Sequence, residues 1–298
     1  MDNKESYDVV VVGGGAAGLS AALVLGRSRR SVLVVDAGEP RNARSHELHN
    51  YLGREGTRPT ALLAIGREEV RRYGVEVRPG RVCSAARTGE GFALALEGGG
   101  SVSARRLVIA TGVVDVLPEV PGLEGRFGRD VLHCPYCHGW EVAGQPLGVV
   151  ASGPEYVERA LLFRQWSEDV IILLNGQPPP LAEDAEKLAA RAIEVVPGVI
   201  ARVVVEDDTV KGVELVGGRF VPRTALVVTT VPIRDDNLLE GVGGPETPGL
   251  TIVGNAATPF AGVITSAADG MMAGTLINSD LIAEETARAV AQYRKDVA

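Results

Sequence analysis

The chain has few of the residues that build aromatic cores and covalent cross-links. Its 298 residues include 2 Trp, 5 Phe and 6 Tyr, so aromatic residues make up only 4%. Three cysteines are too few for a framework of structural disulfides, and Cys83, which stands apart from the other two, is expected to be a small buried hydrophobe. No apolar run approaches the ~20 residues of a membrane span, and the run at residues 9–12 stops at Gly13. We therefore expect a cytoplasmic protein without a membrane partner.

Positive charge is also scarce. Lys and Arg number 30 against 38 Asp and Glu, which gives a formal net charge of -8. This balance disfavours nucleic acid and anionic membranes as partners. The chain is instead rich in apolar residues (45%) and in glycine (37 residues), which suits helices packed closely on parallel sheets. The length predicts about two domains.

A glycine-rich turn near the start of the chain has the context of a β-α-β unit. Residues 7–12 predict an apolar strand, and residues 16–25 predict a helix that leads into a second apolar strand. The first glycine permits a tight turn, the second lets a pyrophosphate approach, and the third lets the helix lie close to the strand. An acid about 20 residues later would accept a hydrogen bond from a ribose hydroxyl. The predicted dinucleotide site comprises Gly13, Gly15, Ala17, Gly18 and Asp36.

A second β-α-β unit begins at residues 147–151, which suggests duplicated nucleotide-binding domains. Its turn reads Ala151-x-Gly153-x-x-Tyr156, where three small residues would be expected. Ala151 strains the tight turn, and Tyr156 obstructs close helix packing or the approach of a phosphate. We predict that this second site is degenerate. Three arginines could still supply a phosphate-binding cation: Arg159, Arg164 and Arg191.

Cys134 and Cys137 are separated by two residues, and three interpretations of this pair are open. A zinc site would need a second Cys/His pair at similar spacing, which the sequence lacks. An inert buried pair is the second interpretation. The favoured one is a redox pair that cycles between dithiol and disulfide. Pro135 suits the first turn of a helix starting at Cys134, which would lower the pKa of that sulfur, and His138 could accept and return a proton near neutral pH. The role of the preceding His133 stays open.

Together these motifs resemble the low-molecular-weight thioredoxin reductase family, and most closely its thiol-oxidase branch, such as the gliotoxin and holomycin dithiol oxidases. The motifs that carry the resemblance are the first glycine turn, Ala110-Thr111-Gly112, the Cys134 and Cys137 pair, and Pro248-Gly249-Leu250 leading into Gly254-Asn255. The resemblance implies two Rossmann-like three-layer α/β domains, the second inserted into the first. It implies FAD in the first domain, a homodimer, Cys137 facing the flavin and Cys134 meeting the substrate. The implied boundaries are 1–115 with 236–298 for the FAD domain and 116–235 for the insert.

Several positions depart from the reductases of that family. His138 replaces the usual Asp after the second cysteine, and Asn255 replaces an Asp after the last strand; both changes resemble the oxidase branch. Ala261 and Gly262 stand where the reductases usually carry Arg-Gln, which puts the flavin-edge contacts in doubt. Residues 174–176 lack the His-Arg-Arg that grips the 2′-phosphate, so NADPH is a doubtful cofactor.

The favoured prediction is an FAD-dependent thiol-disulfide oxidoreductase that oxidises a dithiol, small molecule or peptide, with dioxygen as acceptor. Its predicted catalytic residues are Cys134, Cys137 and His138, with no metal. The first alternative is an NADPH-dependent disulfide reductase that acts on a thioredoxin-like protein. The second is a flavin redox sensor without turnover, or a reductase with an unusual electron donor. The sequence does not identify the substrate.

Overall fold

The computed structural model describes residues 5–89 and 91–297, which group into two compact units. Unit 1 comprises the described parts of Met1–Ala43, Pro59–Val114 and Ile233–Ala298. Unit 2 comprises Arg44–Arg58 and Asp115–Pro232. The expected boundaries differ from this division mainly at Arg44–Arg58, because this segment packs with residues far along the chain and not with its sequence neighbours.

The helices and strands follow one another in three groups. The first is β1 (Glu5–Val12), α1 (Ala16–Arg27), β2 (Val32–Asp36), α2 (Pro59–Arg71), β3 (Glu76–Pro79), β4 (Val82–Thr88), β5 (Gly91–Leu96), β6 (Ser101–Ile109) and β7 (Val114–Val116). The second is β8 (Val131–Leu132), α3 (Pro135–His138), β9 (Leu147–Val150), α4 (Tyr156–Phe163), β10 (Val170–Leu173), α5 (Ala182–Ala190), β11 (Glu194–Val196), β12 (Ile200–Glu206), β13 (Thr209–Leu215), β14 (Phe220–Pro222), β15 (Ala225–Val227) and β16 (Val231–Ile233). The third is α6 (Asn237–Val242), β17 (Leu250–Ile252) and α7 (Val263–Asp296). Within the described residues, no helix has both the length and the apolar character to cross a membrane.

Unit 1 is built on one sheet with packed layers on both faces. The strand order is β3-β2-β1-β6-β5-β4, with β17 also paired to β6. The strands β1, β2, β3, β6 and β17 run parallel, and β4, β5 and β6 form the predicted antiparallel meander. Val9 and Val11 of β1 belong to a core shared with α1 and α7, whereas Val10 and Val12 belong to a second core with Phe92. Because both faces are covered, the strand is continuously apolar instead of alternating.

An ion cluster fastens α7 to the rest of unit 1. Arg105 on β6 has its Nη1 2.7 Å from Glu285 Oε1 and its Nη2 3.1 Å from Glu284 Oε1. Arg106 binds Glu284 at 2.7 Å, and Arg30, which follows α1, binds Glu285 at 2.5 Å. The three arginines are largely buried, so each would be costly to leave without its carboxylate.

Acidification is expected to weaken this cluster. Arg30 and then Arg105 lower the pKa of Glu285 to about 2, and Arg106 lowers the pKa of Glu284. A carboxylate with a depressed pKa contributes stability above its unfolded pKa of ~4.3 and loses it as the pH falls through the folded pKa. The melting temperature should therefore fall between roughly pH 5 and pH 2. Arg105→Met should lower the melting temperature at neutral pH by a few degrees and make this acid fall shallower. Melts over a pH series check both, and parallel pH dependences of the two proteins would contradict the assignment.

Unit 2 carries the second Rossmann-like sheet, with parallel strands in the order β11-β10-β9-β15-β8 and a separate antiparallel sheet of β12, β13 and β14. Leu147 and Val149 of β9 pack in one core with Phe163, and Val150 packs in the other with Val213. The predicted fold class, two Rossmann-like α/β domains with the second inserted into the first, is confirmed. Since β8 and β9 are both parallel to β15, the carboxyl ends of these strands lie on the same side of the sheet. The cysteine pair follows β8 and the second glycine motif follows β9, so both lie at the carboxyl ends of the strands.

The prediction that Cys83 is a small buried hydrophobe is wrong. Cys83 is exposed on β4, whereas Val82 and Ala85 of the same strand are buried. The pairing of β4 with β5 shifts register between Val82 and Ser84, so Cys83 lies at an irregularity of the edge strand. The flanking sequence gave no sign of this irregularity.

Candidate functional site

The cysteine pair lies just after β8. Cys134 has an extended backbone and precedes α3, and Pro135 occupies the first helical position, as predicted. A disulfide joins Cys134 to Cys137, with their Cα atoms 5.3 Å apart. The helix α3 has only four residues, and the expectation that its first turn lowers the pKa of the Cys134 sulfur stays a prediction. Within the described chain no three His, Cys, Asp or Glu side chains are grouped as metal ligands, so the zinc interpretation gains no further ligand.

The backbone leading into the pair is held by an arginine of α4. Arg159 Nη1 donates to the carbonyl of His133 at 2.6 Å. The His133 ring lies 5.4 Å from the ring of Phe127, measured between centroids. Burial lowers the pKa of Arg159, with Glu155 acting in the opposite direction. We assign His133 and Arg159 the role of fixing the main chain in front of Cys134.

His138 follows the second cysteine directly and is half-buried. Both of its ring nitrogens are inaccessible to solvent and have no hydrogen-bond partner. Burial lowers the pKa of the imidazole; the Glu141 carboxylate raises it, and His49 lowers it further. The structure gives neither ring nitrogen a protein partner, and the role of His138 as a proton acceptor stays a prediction.

The segment Arg44–Arg58 is fastened beside α3. Within the segment, the Leu48 N–H donates to the Thr57 carbonyl at 2.9 Å. Asn50, which adopts a positive φ of 61°, donates from Nδ2 to the carbonyl of Tyr136, the residue before Cys137. A side chain of the segment thus bonds the backbone inside the Cys-x-x-Cys motif itself.

A second set of contacts joins a histidine of this segment to two glutamates. His49 Nδ1 lies 2.6 Å from Glu55 Oε1, and His49 Nε2 lies 3.3 Å from Glu141 Oε1. Sequence reasoning missed these three residues. Glu141 could have been flagged by its spacing three residues after His138, but nothing in the sequence connects His49 to a motif more than 80 residues away.

An aromatic surface adjoins α3. The rings of Tyr136 and Trp166 meet edge to face, with centroids 5.6 Å apart. A side chain at Gly139 would come within 2.9 Å of the Trp166 ring, so glycine is needed there. Trp140 is 82% exposed. A shallow pocket of about 540 Å³ lies beside this surface and is lined by Tyr136, Leu161, Leu162, Gln165, Trp166 and Arg191.

The first glycine turn has the geometry that sequence predicts. Gly13 has a φ of 107° and lies against Ala110, whose carbonyl oxygen would be 2.3 Å from a Cβ at Gly13. A Cβ at Gly18 would be 2.0 Å from the Gly13 oxygen. A Cβ at Gly15, by contrast, would meet nothing within 4 Å. The turn is therefore tightly packed at Gly13 and Gly18. Space is open next to Gly15, at the N-terminus of α1.

Asp36 ends β2, close to this turn. Its Oδ2 lies 2.7 Å from Arg67 Nη2, and its Oδ1 accepts the Gly38 N–H at 3.2 Å. A Cβ at Gly14 would come within 2.6 Å of the Asp36 carboxyl group. Each carboxylate oxygen accepts more than one hydrogen bond, so Asp36 keeps capacity for a ribose hydroxyl. Arg67, on α2, is a partner that the sequence did not reveal.

Two further predicted segments border the turn in unit 1. Ala110, Thr111 and Gly112 follow β6, and Ala110 N–H donates to the Val12 carbonyl at 2.8 Å. After β17, the Gly254 N–H donates to Asp269 of α7 at 2.7 Å.

The prediction that Asn255 binds the cofactor stays a prediction, and the structure shows the contacts of its side-chain amide. Its Nδ2 is shared among three backbone carbonyls of its own loop and lies 2.8 Å from the Ala261 carbonyl oxygen. Asn255 therefore organises the loop up to Ala261, and Asp269 is the acid that binds the preceding backbone N–H.

The second glycine motif has a large buried side chain at its third position. Ala151 is fully buried after β9, and Tyr156 is 7% exposed at the start of α4. The Tyr156 hydroxyl donates to the carbonyl of Pro178 at 3.1 Å. The phenol ring thus lies where close helix packing would require a small residue, and its hydroxyl is engaged across the unit.

The three candidate cations near this motif have other contacts or lie apart from it. Arg159 is bound to the His133 carbonyl, and Arg164 donates to the backbone carbonyls of Arg191 and Ser167. Arg191 lines the aromatic pocket. Asn175, which follows β10, accepts the Ile200 N–H at 3.0 Å and so serves the backbone.

The chain belongs to the pyridine nucleotide-disulphide oxidoreductase family, whose profile matches residues 7–247. Its fold is thioredoxin reductase-like. The predicted family is confirmed.

Named relatives and solved structures agree with this class. A "Probable thioredoxin reductase" from Arthroderma benhamiae is 34% identical over 180 residues, which are 58% of this chain and 45% of that protein. "Thioredoxin reductase tcpT" from Claviceps purpurea is 36% identical over 162 residues, which are 52% of this chain and 49% of that protein. The chain thus spans about half the length of these two relatives. The crystal structure of HlmI superposes with a TM-score of 0.95 at 42% identity, covering 100% of this chain and 99% of that one.

Proposed function

We propose that the protein is an FAD-dependent dithiol oxidase that converts a small-molecule or peptide dithiol to a disulfide, with dioxygen as the final acceptor. One contrast carries the proposal: the first motif has a glycine, Gly18, packed against the Gly13 backbone, whereas the second has the buried phenol of Tyr156 at the corresponding position. A protein with a flavin cradle and no second nucleotide cradle receives its electrons at the Cys134–Cys137 disulfide.

The residues of unit 1 fit FAD. The turn from Gly13 to Gly18 leaves room for a pyrophosphate above Gly15, and the first N–H groups of α1 point to that space. Ala17, Asp36, Ala110, Thr111, Gly112 and Gly254 border the same region of unit 1 in our proposal, and Asn255 shapes the adjoining loop. Bound FAD would supply a two-electron acceptor that dioxygen can reoxidise, yielding hydrogen peroxide.

The sulfur steps follow thiol-disulfide exchange. A substrate thiol loses its proton to His138, its sulfur bonds to Cys134, and the Cys137 sulfur leaves and takes up a proton. The second substrate thiol attacks the mixed disulfide, so that the substrate leaves as a disulfide and Cys134 as a thiol. The substrate has then lost two electrons and the enzyme disulfide has gained them. Bond making and breaking at sulfur therefore need only these two cysteines and one acid–base group.

A second candidate is the NADPH-dependent disulfide reductase. The family name and the relatives named thioredoxin reductase favour it. The same sulfurs would work in the opposite direction, passing electrons to a thioredoxin-like protein. Its difficulty is the entry of electrons, because Tyr156 occupies the motif, and Arg159 and Arg164 are bound to backbone carbonyls.

One anaerobic experiment separates these functions. The FAD-loaded protein is mixed with excess dithiothreitol, with NADPH or with NADH, and the visible flavin absorption is followed. We expect the dithiol to bleach the flavin and the nicotinamides to leave it oxidised over the same time. Rapid bleaching by NADPH would establish the reductase instead. Bleaching by none of them would overturn both and leave a redox sensor or a different electron donor.

A further inference from the structure

We propose that Arg67 is a positioning residue for the adenosine end of FAD. It holds the Asp36 carboxylate in place to accept a ribose hydroxyl, and it offsets the charge of that carboxylate beside the pyrophosphate. This role rests on the FAD site of the proposed function and not on its sulfur chemistry. The contact that carries it joins α2 to the end of β2: Arg67 Nη2 donates to Asp36 Oδ2 at 2.7 Å.

Asp36 lies against the first glycine turn. A Cβ at Gly14 would be 2.6 Å from both the Cγ and the Oδ2 of Asp36. Gly14 directly precedes Gly15, next to which space is open at the N-terminus of α1. The carboxylate thus lies one residue away from the space proposed for the pyrophosphate, as an acid that binds the ribose in this type of turn should.

Two hydrogen bonds fix the orientation of this carboxylate. Arg67 binds Oδ2 at 2.7 Å, and the Gly38 N–H binds Oδ1 at 3.2 Å. Each oxygen has two lone pairs, so each can still accept a bond from a ribose hydroxyl. The terminal torsion of an aspartate has a broad energy minimum, and a partner on each oxygen narrows it. Removal of Arg67 would leave the carboxylate held by the longer bond to Gly38 and free to turn away from the ribose.

The packing of α2 determines where Arg67 lies. Leu63, Arg67 and Val70 are spaced four and three residues apart, so they share one face of the helix. Leu63 and Val70 are buried in the core shared with α1. A Cβ at Gly66 would be 3.0 Å from Cδ1 of Leu19, which shows how closely the two helices approach. Arg67 is therefore held on the inner face of α2 by its neighbours, and its side chain is 26% exposed.

Charge is the second reason for an arginine at this place. The pyrophosphate of FAD is negatively charged, and a carboxylate nearby repels it. Arg67 offsets that repulsion, and because the pair with Asp36 is largely buried, salt screens it less than a surface pair. Arg71, one turn further along α2, offers a contrast: it binds Glu68 at 2.6 Å, but both side chains are exposed. Such a surface pair contributes little, so Arg71 is a matched control on the same helix.

The test compares ADP with 2′,3′-dideoxy-ADP, which lacks both ribose hydroxyls. Each competes with FAD for the full-length apoprotein, and the flavin fluorescence reports the displacement. The wild type should bind ADP more tightly by about tenfold or more, because a hydrogen bond to a carboxylate is lost with the hydroxyls. Arg67→Met should lower this ratio to about three or less and weaken FAD binding by about tenfold. Arg71→Met should keep the wild-type ratio. If Arg67→Met gives no soluble protein, Arg67→Gln takes its place.

A double-variant cycle separates positioning from direct contact with the ligand. Asp36→Asn should itself lower the ratio, and Arg67→Met added to it should lower the ratio no further, because Arg67 acts through Asp36. A further loss in the double variant would show that Arg67 contacts the ribose itself and would overturn the positioning role.

The ratio is also independent of structural damage and of the sulfur chemistry. A merely structural role of Arg67 would weaken both nucleotides equally and leave the ratio unchanged, and that result would overturn the proposal. A wild-type ratio near one would overturn it as well, because Asp36 would then bind no ribose hydroxyl. If dithiols fail to bleach the wild-type flavin, the proposed oxidase function fails, while the nucleotide ratio still decides the role of Arg67.

Discussion

Cys137→Ser is expected to leave the protein folded and loaded with FAD while abolishing the bleaching of the flavin by dithiols. A serine hydroxyl forms no disulfide, so Cys134 has no partner through which an electron pair can leave. We expect the rate to fall by at least about 1,000-fold, since no other described sulfur can replace Cys137. Stopped-flow absorption under anaerobic conditions measures the loss.

The two other cysteines make this experiment discriminating. Cys83→Ser removes an exposed thiol far along the chain from the pair and should leave the rate unchanged. Cys134→Ser should also stop bleaching, because neither variant can form the disulfide that a substrate thiolate attacks. When the two variants are treated with the disulfide form of the substrate, the Cys134 thiolate attacks it and one substrate sulfur leaves as a thiol, so mass spectrometry should find a mixed disulfide on Cys134 in the Cys137→Ser protein and none in the Cys134→Ser protein. The reverse pattern would exchange the roles of the two cysteines.

Gly18→Ala should have the largest effect on folding. A Cβ at Gly18 would lie 2.0 Å from the carbonyl oxygen of Gly13. The backbone on both sides of this contact is fixed, because the strand β1 and the helix α1 that flank the turn are packed in a buried core. Overpacking against fixed backbone cannot be relieved by rotating a side chain, so we expect a loss of about 3 kcal/mol or more. Thermal or urea unfolding of the soluble fraction, or its absence from that fraction, reports the effect.

Gly15→Ala is the matched control, three residues away in the same turn. A Cβ at Gly15 meets nothing within 4 Å, and Gly15 has a negative φ that alanine adopts readily. The apoprotein should therefore unfold at the wild-type temperature. Its affinity for FAD should fall by about tenfold or more, because the methyl group enters the space assigned to the pyrophosphate. Undiminished FAD binding by the Gly15→Ala protein would show that the pyrophosphate lies elsewhere.

The parts of the fold that sequence predicts are those encoded by neighbouring residues. The apolar strand β1, the glycine turn and the meander of β4 to β6 follow from local pattern, and the structure has them where expected. Pro135 likewise begins α3 as predicted. In each case the structure depends on contacts between residues close in sequence, or on apolar residues that recur at a regular spacing.

The rest depends on contacts between distant residues. Arg67 binds Asp36 across 31 residues, and Asn50 binds Tyr136 across 86, and neither pairing has a sequence signature. The side-chain amide of Asn255 donates to three carbonyls of its own loop, and no motif in the sequence indicates these contacts. Cys83 was expected inside, but an irregular register places it outside. A residue type suggests what a side chain can bind; only the fold determines which of several partners it meets.

The packing of Arg44–Arg58 with unit 2 also has a consequence for biosynthesis. The chain passes between the two units at residues 43–44, 58–59, 114–115 and 232–233, so neither unit is a continuous stretch of the gene. On the ribosome, the segment with His49 and Asn50 emerges long before its partners Tyr136 and Glu141 exist. Such non-local contacts slow folding and delay the completion of unit 2 until its last strand is made. A gene fragment starting at residue 115 would lack this segment and would leave Tyr136 and Glu141 without these partners.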